Sequence, residues 1–192
     1  MSKPLHAAHA AETGVMAAIA ASRGVTGALD VLEGPAGMGA AMSGNADWRK
    51  ATSGLGEIYN IEAITFKNHG CCGHTFAAID GLLFIMEDAQ ITANDIANIA
   101  IATYGPAVSI TDRVDPKTPQ ECKFSMQYVL AHAAHYGSVR IEAFEAERMS
   151  DPAIQAMLGQ IDLSIDPAVD AEFPARRAAH VTITTKDGRQ LT

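Results

Sequence analysis

The first 42 residues combine an alanine-rich segment with a glycine-rich one. Residues 4–22 carry their larger apolar side chains, such as Val15 and Ile19, among many alanines, and Gly24 follows the run. Because alanine is the strongest helix former and glycine commonly ends helices, this segment predicts a closely packed helix. Residues 26–42 hold several glycines and a proline, which predicts a short helix that opens into an irregular loop.

A polar stretch separates this helical part from the rest of the chain. Residues 43–56 contain the single tryptophan, Trp48, among glycines and serines, a composition typical of a domain junction. We therefore divide the chain into residues 1–55 and residues 56–192.

The second part opens with a predicted strand and a predicted helix. Branched and aromatic residues dominate positions 58–66 and favour a strand. From Phe76 to Met86, apolar residues recur at three- and four-residue spacing, which predicts an amphipathic helix of about four turns. Thr92 and Asp95 then resemble a capping box before a single helical turn.

Further helices and strands alternate along the remaining chain. Positions 99–104 favour a short strand, and Thr118 begins a capping box with Pro119 and Glu121, which predicts a helix as far as Tyr136. The later elements are a short helix after Asp151 and two strands, at 161–165 and 181–183. This order predicts an α+β fold with a short mixed or antiparallel sheet flanked by helices.

Composition limits the partners of this chain. Its formal net charge is −8 and runs of lysine and arginine are scarce, which argues against binding to nucleic acid or to anionic membranes. We also expect no membrane anchor, because no stretch reaches the roughly 18 uncharged apolar residues of a membrane helix, and we expect no export signal. The three cysteines do not form the spaced framework of a secreted disulfide protein, which favours a reducing cytoplasm.

Residues 67–74, KNHGCCGH, concentrate two imidazoles, two thiols and an ammonium group. His74 lies at a predicted helix N-terminus, where backbone N–H groups favour an anion such as a carboxylate, and Lys67 adds a positive charge. The structural alternative is that Cys71 and Cys72 are small buried hydrophobes and one histidine caps the turn. A zinc site is a third reading, but adjacent cysteines rarely chelate one ion, so we predict no metal.

Two pairs of histidines lie elsewhere in the chain. Lys3, His6 and His9 form a small cluster at the start, with both histidines on one helical face, and by themselves they fit a solvated surface. His132 and His135 repeat this spacing on the later helix, and we assign them no functional role.

Four motifs, in order along the chain, resemble the MmgE/PrpD family. They are KPLHAAHAAETGVMAAIAASRGVTGALDVLEGPAG near the start, KNHGCCGHTFAAID, PQECKFSMQYVLAHAAHYGSV, and finally SDPAIQAMLGQIDLSIDP followed by VTITTKDGR. The second motif is similar to the family's K-P-Y-P-C-C-G-H-T-H-A-A-I-D loop, although Asn68 and His69 replace the usual proline and aromatic residue. Together, the motifs extend over nearly the whole chain.

This resemblance implies both a fold and an activity. Residues 1–55 would be the end of a helical domain, and residues 56–192 a smaller α+β domain. The family includes 2-methylcitrate dehydratase, cis-aconitate decarboxylase and iminodisuccinate epimerase, which act on small di- or tricarboxylates without a metal or other cofactor. Their shared step is proton transfer at carbon, which needs a placed base and positive groups that hold carboxylates.

The resemblance also implies roles for particular residues. Lys3 and Lys67 match the lysines that open the first two motifs, and both would be catalytic residues facing the pocket between the domains. His6, Cys72 and His74 would bind substrate. Some members have a histidine at the position of Cys72, so this cysteine departs from the decarboxylase pattern.

The chain is about half as long as family members. We therefore expect an incomplete pocket, completed by a homodimer or by a complementing helical-domain chain. The leading hypothesis is a lyase-like polypeptide acting on a substrate such as 2-methylcitrate. The alternative is a non-catalytic remnant or interaction subunit that binds an anion or a partner chain.

Overall fold

The computed structural model describes residues 3–192, and the chain divides into two compact units at the Ile64/Thr65 boundary. The first unit contains helices and turns, and the second contains helices and a sheet, which confirms the predicted α+β class. None of the described helices is both long and apolar enough to cross a lipid bilayer.

Helix α1 (Lys3–Ser22) confirms the predicted alanine-rich helix of the first unit. None of its described residues is buried, and Val15 and Met16 are 60% and 62% exposed. Gly24, with a φ of 88°, follows the helix in a left-handed conformation that glycine adopts without steric cost.

The glycine-rich segment after α1 differs in part from its prediction. Residues 26–37 contain turns but no helix, and the short helix α2 (Met38–Met42) comes only after Pro35. Proline lacks a backbone N–H and glycine weakens helices, so the chain becomes helical only beyond the proline. Within this unit, Gly39 lies against the ring of Trp48, where an added Cβ atom would approach to 2.6 Å.

The predicted strand at residues 58–66 is wrong. This segment forms a 3-10 turn at Asn60–Ala63, and Ile58, Ile61 and Phe66 are all strongly exposed. Branched and aromatic residues favour strands because they pack against neighbouring strands, and no described strand pairs with this segment. Without that packing, strand propensity alone does not impose the structure.

The second unit contains the remaining elements. Its helices are α3 (Phe76–Asp88), α4 (Gly105–Thr111), α5 (Pro119–Cys122), α6 (Met126–Tyr136), α7 (Ala146–Met149), α8 (Pro152–Met157) and α9 (Pro167–Ala171). Its strands are β1 (Ile96–Thr103), β2 (Ile161–Ile165), β3 (Ala179–Thr185) and β4 (Gln190–Leu191).

The described strands form one four-stranded mixed sheet in the order β2-β1-β3-β4. Strand β1 pairs in parallel with β2 and antiparallel with β3, and β3 pairs antiparallel with β4. Thr103, the last residue of β1, lies opposite both Ile165 of β2 and Ala179 of β3. The chain therefore leaves β1, leaves β2 and enters β3 at the same edge of the sheet.

Helices α3 and α6 pack together, and α3 also packs on β3 of the sheet. The predicted amphipathic helix is confirmed as α3, whose inner face buries Ala78, Ile79, Leu82, Ile85 and Met86. Helix α6 is buried along nearly its whole length. Its polar residues Gln127 and His132 are buried together with the apolar ones.

The predicted capping box at Thr118 is confirmed, but the helix that follows it is interrupted. Helix α5 ends at Cys122, and α6 begins after Ser125, whose hydroxyl accepts a hydrogen bond from the Tyr128 backbone N–H at 3.0 Å. The same hydroxyl donates to the backbone carbonyl of Arg113 at 2.6 Å. This second cap restarts the helix, which ends at Gly137 as predicted.

His132 is a buried histidine in the middle of α6. Its Nδ1 donates to the backbone carbonyl of Ser138 at 2.9 Å, and its buried Nε2 has no hydrogen-bond partner among the described residues. Burial lowers the pKa of His132 from its ordinary value of 6.5, and this outweighs the opposing effect of the Ser138 hydrogen bond. The folded state therefore favours the neutral ring.

We predict that His132 makes the free energy of unfolding fall as the pH drops below about 6.5. Below that pH the unfolded chain takes up a proton that the folded chain resists, whereas above it the contribution is constant. His132→Asn should reduce this decline, measured by urea unfolding at pH 5.5 and 7.5 with circular dichroism. Leu130→Ala is the control, because it should lower stability by about 2–5 kcal/mol and leave the pH dependence intact. An unchanged decline in His132→Asn would contradict the assignment.

Candidate functional site

A cleft of about 400 Å³ lies within the second unit, beside the start of α3. Pockets that bind small molecules commonly measure about 300–1,000 Å³, so this cleft suits a small ligand. It is lined by Thr65, Phe66, Lys67, Gly73, His74, Phe76, Ala77, Tyr104 and Arg177.

Tyr104 forms the inner wall of the cleft. It follows the last residue of β1, is 1% exposed, and stacks its ring on Phe173 with the ring centres 4.8 Å apart. Its hydroxyl is hydrogen-bonded to Nδ1 of His74 at 2.8 Å. Tyr104, Ala107 and Val169 form a small core of their own at this end of the unit.

The segment between β2 and β3 folds over the end of β1 and encloses Tyr104. The backbone N–H of Asp166 donates to the carbonyl of Thr103 at 2.9 Å, and the Thr103 hydroxyl donates to the carbonyl of Ala178 at 2.8 Å. Asp170 accepts from the backbone N–H of Gly105 at 2.7 Å. These bonds fix both ends of the segment and its middle. One joins two backbone groups, and the other two each join a side chain to the backbone.

The Tyr104–His74 pair is uncharged near neutral pH. Burial, and then the nearby charge of Arg177, lower the pKa of His74 from 6.5. Burial raises the pKa of Tyr104 from 10.0, so its hydroxyl keeps its proton. When that hydroxyl donates to Nδ1, the single ring N–H of neutral His74 is at Nε2 and can donate to a ligand.

Lys67 is the first residue of the 67–74 loop that leads to α3, and His74 is the last. Its Nζ donates to the backbone carbonyl of Cys71 at 3.2 Å, which keeps the ammonium at the cleft wall. Lys67 and Arg177 are both cationic, and no carboxylate occurs among the described residues that line the cleft. In a chain with a net charge of −8, this is a local concentration of positive charge that favours an anion.

Backbone contacts also hold the loop of residues 67–74 in place. The N–H of Gly70 donates to the carbonyl of Val139 at 2.8 Å, and that of Cys72 donates to the carbonyl of Lys123 at 2.9 Å. Gly70 passes so close to Arg140 that an added Cβ atom would lie 3.3 Å from its backbone. These contacts hold the backbone of the loop that carries Lys67 and His74.

The histidine and cysteines inside this loop have structural contacts. His69 is 5% exposed, bonds Asp80 through Nε2 at 2.8 Å, and packs edge-on against Phe76. The Sγ of Cys71 contacts the Thr75 hydroxyl at 3.2 Å, and burial raises the pKa of Cys71 to about 11. Within residues 3–192, no group of three or more His, Cys, Asp or Glu side chains is placed to hold a metal ion.

Comparison with known proteins assigns the chain to a family. The MmgE/PrpD C-terminal domain matches residues 69–192, and the MmgE/PrpD N-terminal domain matches residues 1–51. The chain belongs to the MmgE/PrpD family. The predicted resemblance is thereby confirmed. Most of the cleft lining lies in the part that matches the C-terminal domain, whereas Thr65, Phe66 and Lys67 come just before it.

Similar curated proteins include several named 2-methylcitrate dehydratase. The one from Cupriavidus necator is 32% identical over 105 residues, which is 52% of this chain and 22% of that protein. Those from Salmonella typhimurium and Escherichia coli are each 27% identical, over 135 and 133 residues, or 67% and 66% of this chain. Each of the latter two matches spans 28% of the relative's own length.

The predicted site residues of this MmgE/PrpD chain fall into two groups. Lys67 and His74 line the same cleft, whereas Cys72 is buried beside it and is not part of its lining. Lys3 and His6 lie at the start of α1 in the first unit and are exposed to solvent. A shared pocket that would unite Lys3 with Lys67 stays a prediction.

Sequence reasoning missed Tyr104 and Arg177. Tyr104 was placed at the end of a strand, but nothing in the sequence indicates that its hydroxyl meets a histidine 30 positions away. Arg177 is one of two adjacent arginines in an otherwise ordinary connection. Its place beside the end of β1 follows from the pairing of β1 with β3, which no local sequence signal indicates.

We predict that Cys71 reacts slowly with alkylating agents in the folded protein. With its pKa raised to about 11 from an ordinary 9.0, the thiolate fraction at pH 8 is about 100-fold smaller than that of an ordinary cysteine. Iodoacetamide labelling, followed by mass spectrometry that separates Cys71 from Cys72, measures this. The control is the same reaction in concentrated urea, where Cys71 should label rapidly. Equal rates with and without urea would show that Cys71 is an accessible thiol.

Proposed function

We propose that this chain is a MmgE/PrpD lyase polypeptide that takes part in dehydrating a small di- or tricarboxylate such as 2-methylcitrate, or in a related proton transfer, without a metal or other cofactor. The observation that carries this proposal is the cleft of the second unit, where Lys67 and the neutral Tyr104–His74 pair meet and no carboxylate occurs among the described lining residues.

Dehydration of such a substrate makes two demands on a site. A C–H bond next to a carboxylate and a C–O bond on the neighbouring carbon both break, a carbon–carbon double bond forms, and the proton and the hydroxide leave as water. Negative charge builds on the carboxylate as the proton departs, so a cation must stabilise it. A second group must then take the proton or deliver one to the departing hydroxide.

The residues of the cleft fit these demands. The ammonium of Lys67 suits carboxylate binding or proton transfer, and the N–H at His74 Nε2 suits a carboxylate or hydroxyl oxygen of the substrate. Lys3 is proposed as the second catalytic lysine, with His6 and Cys72 as further substrate-binding residues, on the strength of the motifs. The relatives named 2-methylcitrate dehydratase support the choice of substrate class.

The exposed face of α1 favours a second candidate function. Leu5, Val15, Met16 and Ile19 are 47–67% exposed on this helix, and exposed apolar faces of this kind commonly bind another chain. The candidate is a non-catalytic subunit that binds an anion or a partner, either a second copy or a chain that supplies a helical domain. We also propose a reducing cytoplasm as its location, which the unpaired thiols of the described cysteines support.

A turnover experiment separates these two functions. The 192-residue chain is incubated with 2-methylcitrate, and proton NMR follows the appearance of the alkene product. Product formation that depends on Lys67 supports the lyase. Anion binding without any turnover, alone or with a helical-domain chain of the family added, would favour the binding subunit.

We predict that Lys67→Met weakens binding of tricarballylate, a tricarboxylate that has no hydroxyl group to lose, by at least tenfold. The change removes the ammonium and keeps a similar side-chain length, so the cleft loses charge with little change in packing. Calorimetric titration measures the affinity, and thermal unfolding should be nearly unchanged because Lys67 is exposed.

The matched control is Lys186→Met. Lys186 is also exposed, but it follows the far end of β3, away from the edge of the sheet where Tyr104 lies. This variant should bind tricarballylate within about twofold of the unmodified chain, a change typical of screened surface charges. If Lys67→Met instead lowers the unfolding temperature and leaves the affinity intact, Lys67 has a structural role and the proposal fails.

A further inference from the structure

Arg177 is fixed beside Tyr104 by its position in the chain. It lies two residues before β3, and the next residue, Ala178, accepts the hydrogen bond from the Thr103 hydroxyl at 2.8 Å. Tyr104 directly follows Thr103, at the end of β1, and Arg177 comes shortly before the start of β3. The two residues therefore lie at the same edge of the sheet. Arg177 consequently lines the cleft together with Lys67 and His74.

The guanidinium of Arg177 has no carboxylate partner among the described residues. Its neighbour Arg176 pairs with Glu172 at 3.0 Å, whereas the contact formed by Arg177 is with the ring of Phe173, whose centre lies 5.9 Å from its Cζ. The charge of Arg177 acts on both His74 and Tyr104. It adds to the burial that lowers the pKa of His74, and it partly opposes the burial that raises the pKa of Tyr104. The two adjacent arginines therefore differ. Arg176 pairs with a carboxylate, whereas Arg177 lines the cleft without one among the described residues.

We propose that Arg177 determines substrate specificity by binding a second carboxylate of the same molecule whose first carboxylate is held at Lys67. The cleft then selects small acids with at least two carboxylates over monocarboxylates. This inference rests on the proposed function and adds to it the residue that gives the preference for two carboxylates.

The chemistry of Lys67 and Arg177 supports the binding of one carboxylate by each. A guanidinium presents a planar pair of N–H donors that matches both oxygens of a carboxylate, whereas an ammonium acts as a compact point charge. A monocarboxylate can satisfy only one of them and leaves the other cation facing water. A dicarboxylate satisfies both, and the neutral His74 of the same cleft can bind a further oxygen without adding charge repulsion.

The test compares Arg177→Met with Arg176→Met in the 192-residue chain. The probes are tricarballylate and butyrate, a monocarboxylate, and calorimetry or NMR titration gives the affinities. Arg177→Met should weaken tricarballylate binding at least tenfold and change butyrate binding by less than about twofold. Arg176→Met should change neither by more than about twofold, because Arg176 is already paired with Glu172. Arg177→Lys should fall between the unmodified chain and Arg177→Met.

Each other outcome overturns the inference in a recognisable way. If Lys67→Met abolishes tricarballylate binding and Arg177→Met does not, the cleft binds carboxylates but Arg177 does not select them, and the proposed function survives. If Arg177→Met weakens tricarballylate, butyrate and inorganic phosphate equally, Arg177 is a general anion contact. If the unmodified chain binds no tricarballylate at millimolar concentration, both the inference and the cleft's role in the proposed function fail.

Discussion

The cleft of the second unit depends on the burial of Tyr104 at the end of β1. A tyrosine enclosed by apolar neighbours needs a partner for its hydroxyl, and here that partner is the Nδ1 of His74. The segment that covers Tyr104 supplies Phe173 and Arg177, while the loop before α3 supplies His74 and Lys67. One partly buried hydrogen bond therefore joins two distant parts of the chain beside the cleft.

The electrostatics of the cleft follow from this arrangement. Burial keeps Tyr104 and His74 uncharged, so they add hydrogen-bonding capacity without adding net charge. The charge comes from Lys67 and Arg177, which stand at the more exposed parts of the lining. The cost of removing the cations from water is therefore small in the free protein, because they stay partly hydrated until the ligand replaces that water.

Local sequence signals predicted the local structure well. The capping box at Thr118 and the glycine at Gly137 correctly set two helix ends, because caps act through hydrogen bonds and backbone conformations within a few residues. Features that depend on distant contacts were missed. The Ser125 cap bonds to Arg113 twelve positions earlier, and the proposed strand at residues 58–66 failed because it has no described strand to pair with. Of the cleft, the loop with Lys67 and His74 was predictable, whereas Arg177 became visible only through the sheet register.

The most direct test of this account is a crystal structure of the chain with tricarballylate bound. The account predicts one carboxylate within hydrogen-bonding distance of Lys67 Nζ, a second carboxylate on the guanidinium of Arg177, and an intact bond between Tyr104 and His74. An anion bound elsewhere, or a Tyr104 hydroxyl turned away from His74 with the cleft empty, would contradict it.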